Sequence, residues 1–186
     1  MAKKDFKPRE YLSPVPAVMV SCGEGDRTDI VTLAWVGTVN SVPPLVNISV
    51  MRHRYSYPLI KESGEFVINL VDEKLAKAMD YCGCVSGADV DKWSAAGLTQ
   101  EASKEVKCPA IKESLVSLEC KVREIHSYET HDSFIAEIVN VRIDESIVDE
   151  KGHVDWKGTK LVALNADQDY YLLEGEAYAR MGFSLK

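Results

Sequence analysis

Residues 30–51 carry no charged side chain, yet this run does not suit a membrane span. Thr32, Gly37, Thr38, Asn40, Ser41, Asn47 and Ser49 interrupt it, and Pro43-Pro44 breaks it. Lipid would leave so many polar groups unsatisfied. Two strands around a turn fit better. From Leu45 onward Val46, Ile48 and Val50 fall on one face, and Asn47, Ser49 and Met51 on the other. That period of two is the mark of a strand. Polar side chains on the second face of so apolar a strand point into a site rather than into a core.

The same reading along the chain predicts strands over residues 15–22, 30–36, 66–71, 116–122, 134–143 and 161–164. A short helix is expected over 55–62, with Ser56 as N-cap, Pro58 in the first turn and Gly64 as the stop. Asp72 is expected to cap a second helix carrying Leu75, Ala78, Met79 and Cys82 on one stripe. A further helical piece is expected over 86–96, closed by Gly97. In 116–122 the apolar side chains Val116, Leu118, Cys120 and Val122 alternate with polar ones, as in a strand with one wet face. Residues 144–158 read as a polar loop. Strands crowd the early and late thirds with no regular strand–helix–strand alternation. The expected fold is therefore mainly β, an antiparallel barrel with inserted helices. With 186 residues and no Pro/Gly-rich linker, residues 1–186 are expected to form one domain.

Charge narrows the function. Lys and Arg number 22 against 29 Asp and Glu, a net charge of −7. An acidic chain lacks the broad basic face that nucleic acid needs. No apolar segment follows the basic residues at the start, so no signal peptide is expected, and no membrane association. Five cysteines, an odd number at irregular spacing, suggest reduced thiols and a cytoplasmic protein. Cys82-Gly83-Cys84 is C-x-C without a second pair, so no metal site is expected.

Two segments could carry chemistry. Thr32-Leu33-Ala34-Trp35-Val36-Gly37-Thr38 ends a strand where backbone groups could meet a flat polar heterocycle, with Gly37 allowing close approach. An ordinary core strand ending in a glycine turn has the same pattern. In residues 49–56, Arg52, His53, Arg54 and two hydroxyls precede a helix start. Free N–H groups and a partial positive charge there suit an anion, and arginine suits phosphate. A solvated basic loop is the alternative. Lys92 beside Trp93 offers one more cation, or a solvated turn. No hydrolase elbow, Walker or dinucleotide glycine motif is present.

TLAWVGTVNSVPPLVNISV, RYSYPLIKESGEFVINL, SGADVDKWSAAGLT, CPAIKES and HDSFIAEIV, in this order, resemble the flavin reductase-like family with an FMN-binding split barrel. The flavoredoxin-like branch is the nearest, and the resemblance spans residues 13–171. It implies a Greek-key antiparallel split barrel that forms a homodimer with FMN at the interface. It further implies that Thr32, Leu33, Ala34, Trp35 and Thr38 hold the ring system, with Ser49, Val50 and Met51 along its other edge. Arg54 and Ser56 would take the phosphate, with Lys92 as a third contact. His131 would contact a nicotinamide. Here Thr130-His131-Asp132 stands where the family has Gly-Asp-His, and Ala136 where it has Gly. The activity implied is transfer of reducing equivalents from NADH or NADPH through FMN to a small-molecule or protein acceptor. The alternative is an FMN electron carrier reduced by a partner protein. A cofactor-free structural barrel is the third reading. No side-chain acid, base or nucleophile is assigned, since hydride chemistry belongs to the flavin.

Overall fold

A computed structural model describes residues 1–185. Its strands are β1 (Val15–Pro16), β2 (Val18–Glu24), β3 (Arg27–Leu33), β4 (Val36–Ser41), β5 (Pro44–Met51), β6 (Glu65–Leu70), β7 (Gln100–Glu101), β8 (Ala110–Ile111), β9 (Val116–Ser127), β10 (His131–Ile143), β11 (Val162–Leu164) and β12 (Tyr170–Leu172). The α-helices are α1 (Ser56–Ser63), α2 (Ala76–Cys84) and α3 (Lys92–Ala95).

Seven strands form one sheet in the order β3-β2-β6-β9-β10-β5-β4, antiparallel throughout. Its two outer strands, β3 and β4, are consecutive in the chain and separated only by Ala34 and Trp35. Three Cα steps reach at most about 11 Å. The end of β3 and the start of β4 must therefore lie close together, and the sheet curls into a barrel left open along the Leu33–Val36 seam, with the outer edges of β3 and β4 unpaired. The expected strand 30–36 is thus two strands, because the chain changes edge at Ala34. From β5 the chain crosses through α1 to β6, which pairs with β2 and β9 rather than with β5. That over-connection gives the Greek-key order. The small β1-β11-β12 sheet packs beside the barrel, where Val162 donates to the Val71 carbonyl at 2.9 Å.

The barrel interior holds Val18, Val20, Val46, Ile48, Val50, Phe66, Ile68 and Phe134, and Leu59 and Ile60 of α1 plug one end. Burying each large side chain contributes about 1.5–3 kcal/mol. A second core joins Met19 and Ile30, on the outer face of the barrel, to Met79 and Cys82 of α2 and Trp93 of α3. It fixes α2 and α3 against β3.

Three local expectations are corrected. Ser56 does not cap α1: Tyr55 stands at the N-cap without a side-chain bond, and Ser56 is the first helical residue. Gly64 does stop the helix, in the left-handed region at φ 67°. Only residues 92–95 of the expected 86–96 piece are α-helical, because Asp91 restarts the chain by accepting the Trp93 N–H at 3.1 Å. In β9, Ser117 and Glu119 are buried rather than wet. The Ser117 hydroxyl donates to Asn69 Oδ1 at 2.8 Å, and Glu119 accepts the backbone N–H groups of Lys104 and Glu105. A loop over that face converts polar side chains into its anchors.

Candidate functional site

The seam creates the site. Thr32, Leu33, Ala34 and Trp35 form one wall of a groove of about 190 Å³, and Ser49, Met51, Arg54 and His131 form the other. The alternation of β5 explains the second wall. Val46, Ile48 and Val50 fill the barrel, which turns Ser49 and Met51 outward, half-buried. The Ser49 N–H reaches across to the Trp35 carbonyl at 3.0 Å and holds the seam residues beside β5. On the other side β10 pairs with β5 so that His131 lies opposite Met51. The His131 ring stacks on Trp35, with centroids 4.5 Å apart and planes tilted by 35°. Burial, and then the charges of His53 and Arg54, hold this imidazole below its ordinary value of 6.5. It is therefore largely neutral at neutral pH.

Arg54 also lines a second hollow, about 170 Å³, with His53, Tyr55, Ser56, Val31, Lys92 and residues 84–87. Groove and notch thus meet at Arg54. Its guanidinium makes one long bond, 3.4 Å to the Gly83 carbonyl, and meets no carboxylate among the described residues. The α1 N-terminus opens on the same notch, which adds partial positive charge. Gly83 lies close to the groove wall: a Cβ there would come within 3.1 Å of Thr32 Cβ.

Not every expected residue faces these hollows. Val50 is fully buried, with its side chain in the barrel core. Thr38 is exposed on β4, opposite Val46, and lies outside the groove lining. The Thr32 hydroxyl already donates to the Met79 carbonyl at 2.5 Å. Ser56 and Lys92 border the notch but are engaged from below. The Ser56 hydroxyl donates to Asp29 Oδ2 at 2.5 Å. Lys92 Nζ donates to the Ile30 carbonyl at 2.6 Å and pairs with Asp29 Oδ1 at 3.4 Å. The Lys92 side chain is 4% exposed, so it is neither a solvated turn residue nor an uncommitted cation. Asp29, which the sequence reading missed, is what recruits both. Its only trace in the sequence is a single carboxylate directly before the uncharged run. Gly87 packs on the same carboxylate: a Cβ there would lie 2.3 Å from Asp29 Oδ1.

The cysteines stand apart from any nucleophilic role. Cys22, Cys82, Cys108 and Cys120 are buried and free, and burial pushes Cys82 up to about 11. Cys84 is exposed at the notch.

An antiparallel split barrel with a groove at its seam and a cationic notch beside it defines a class of barrel, and sequence comparison says which. Residues 11–169 match the family described as "Flavin reductase like domain", and the chain belongs to that family. The flavoredoxin of Desulfovibrio vulgaris (Miyazaki F) is similar over 100% of both chains, with a TM-score of 0.91 and 29% identity. An uncharacterized protein of Archaeoglobus fulgidus is 33% identical over 80% of this chain and 83% of its own. The flavoredoxin of Methanosarcina acetivorans is similar over 100% of both chains, with a TM-score of 0.88 and 29% identity.

Proposed function

We propose that groove and notch hold FMN, and that the protein passes reducing equivalents from NADH or NADPH through it to a small-molecule or protein acceptor. The observation that carries this reading is the junction at Arg54, where the seam groove meets a cationic notch. The residues fit the cofactor. An arginine without a carboxylate partner beside a helix N-terminus suits a phosphate. The seam residues and Ser49 suit the edges of a planar ring.

Bound FMN supplies the hydride and electron chemistry. The protein's own residues bind and orient. Arg54 neutralises the phosphate, and Ser49 and the backbone of residues 32–35 lie along the ring. His131, neutral at the groove mouth, offers an N–H to the carboxamide of a nicotinamide. The test is the visible spectrum of the purified protein under anaerobic conditions. NADH or NADPH should bleach the flavin band; no bleaching with either refutes hydride transfer from a nicotinamide.

A second reading, an electron carrier reduced by a partner protein, has its own support. Thr130-His131-Asp132 and Ala136 depart from the family pattern, and a net charge of −7 steers toward basic partners. Salt-sensitive reduction by a partner, with no response to nicotinamides, would select it. We also propose a homodimer, because Trp35, Val39 and Val42 stand exposed on and beside the free edge of β4. Light scattering that gives a monomer would refute this. Five unpaired cysteines fit a reducing, cytoplasmic setting, and no helix among the described residues is long and apolar enough to cross a membrane.

A further inference from the structure

Arg52 and Arg54 are two residues apart and serve different partners. Arg54 faces the groove and notch. Arg52 turns to the β9–β10 hairpin, which the sequence gives no reason to expect. Its Nε donates to Asp132 Oδ1 at 2.8 Å, and a second guanidinium nitrogen reaches the same oxygen at 2.6 Å. The guanidinium also donates to the backbone carbonyls of Glu129, at 3.3 Å, and Tyr128. These two residues lie in the turn between the strands. The other oxygen of Asp132 accepts the Tyr57 hydroxyl at 2.6 Å, and Tyr57 packs edge-on against Phe134. The Asp132 side chain is 2% exposed. One arginine therefore ties the start of β10, the preceding turn, the end of β5 and, through Asp132, helix α1.

His131 is next to Asp132. Side chains alternate across a strand, so Asp132 pointing inward sends His131 to the groove face. Thr130 Oγ1 lies 2.8 Å from His131 Nδ1, and Trp35 covers the ring. The Thr130 contact, and the Tyr128 N–H that donates to the His131 carbonyl at 3.0 Å, come from the turn that Arg52 holds, while Trp35 meets the ring from the seam.

We propose that Arg52 and Asp132 are positioning residues: their clamp locks the β9–β10 turn to the end of β5 and so sets the His131 ring against Trp35 at the groove mouth. A bidentate guanidinium suits this better than an ammonium, because it reaches a carboxylate and two carbonyls together. The kinetic consequence rests on the nicotinamide reading of the site; the structural one does not.

Two measurements on the full-length protein test the clamp. In NMR spectra, the His131 ring-proton signal, assigned by its loss in His131→Asn, should be shifted upfield by Trp35. Trp35→Phe should remove most of that shift. Arg52→Ala and Asp132→Asn should each reduce it by more than half and leave the signal of His153 in place. Arg52→Lys should restore part of it. In kinetics, Arg52→Ala should raise the KM for the reduced nicotinamide about tenfold, with kcat changed less than about twofold, as expected when orientation of one contact is lost. An unmoved His131 signal in both variants overturns the proposal. If neither NADH nor NADPH reduces the wild type, the hydride reading fails, and the NMR shifts still decide whether the clamp sets His131.

Discussion

Replacing Arg54 and Ser56 separately divides two roles that a sequence cannot separate. Both precede or open α1, and both suit a phosphate. The structure gives them different work. Arg54 has a guanidinium with one 3.4 Å bond to a carbonyl and no carboxylate partner among the described residues. Its removal should cost the charge-assisted bonds to the ligand, about 1.5–3 kcal/mol. That corresponds to about a 10- to 150-fold rise in the Kd for FMN. Riboflavin, which lacks the phosphate, should bind Arg54→Ala as it binds the wild type. Ser56 is buried and donates to Asp29 at 2.5 Å. Ser56→Ala removes one of the groups satisfying a buried carboxylate, so the loss should appear in folding, at about 1–3 kcal/mol. Fluorescence titration with both flavins and urea unfolding read the two effects. Wild-type FMN affinity in Arg54→Ala would refute the placement of the phosphate. So would a stable Ser56→Ala that loses FMN as severely as Arg54→Ala.

The buried pair beneath the notch gives a second test. Lys92→Met leaves Asp29 in the interior without its cation and should destabilise the fold by about 3–5 kcal/mol in urea unfolding; adding Asp29→Asn should recover much of that loss. Acid sensitivity gives a third. The Tyr57 hydroxyl, then Arg52, hold the Asp132 carboxyl below its ordinary 3.8. The folded state therefore binds this proton less readily than the unfolded chain. The resulting stability is present above pH 3.8 and is lost as pH falls toward the folded value. Asp132→Asn should accordingly flatten the fall of stability with acid in that range, measured by urea unfolding at stepped pH.

How far the sequence reaches is set by the distance over which its signals act. The alternation in residues 45–51 put Ser49 and Met51 on one face, and both line the groove, because the period of a strand is local. It also set Val50 on the opposite face with Val46 and Ile48; the resemblance, not the alternation, put Val50 beside the ring, and its side chain fills the barrel. Gly64 was legible as a helix stop for the same local reason. The seam at Ala34-Trp35 was not, since residues 30–36 look like one continuous strand until the edges of a seven-stranded sheet are known. Charges were the least legible. Arg52, Arg54 and Lys92 look alike as cations in a chain of net charge −7, and their fates depend on carboxylates far away in the chain. Asp132 takes Arg52 from 80 residues away. Asp29 takes Lys92, whose bond to the neighbouring Ile30 carbonyl spans 62 residues. Among the described residues no carboxylate reaches Arg54. Which cation is left without a carboxylate is a property of the folded topology, and in this barrel Asp132 on β10 and Asp29 on β3 decide it.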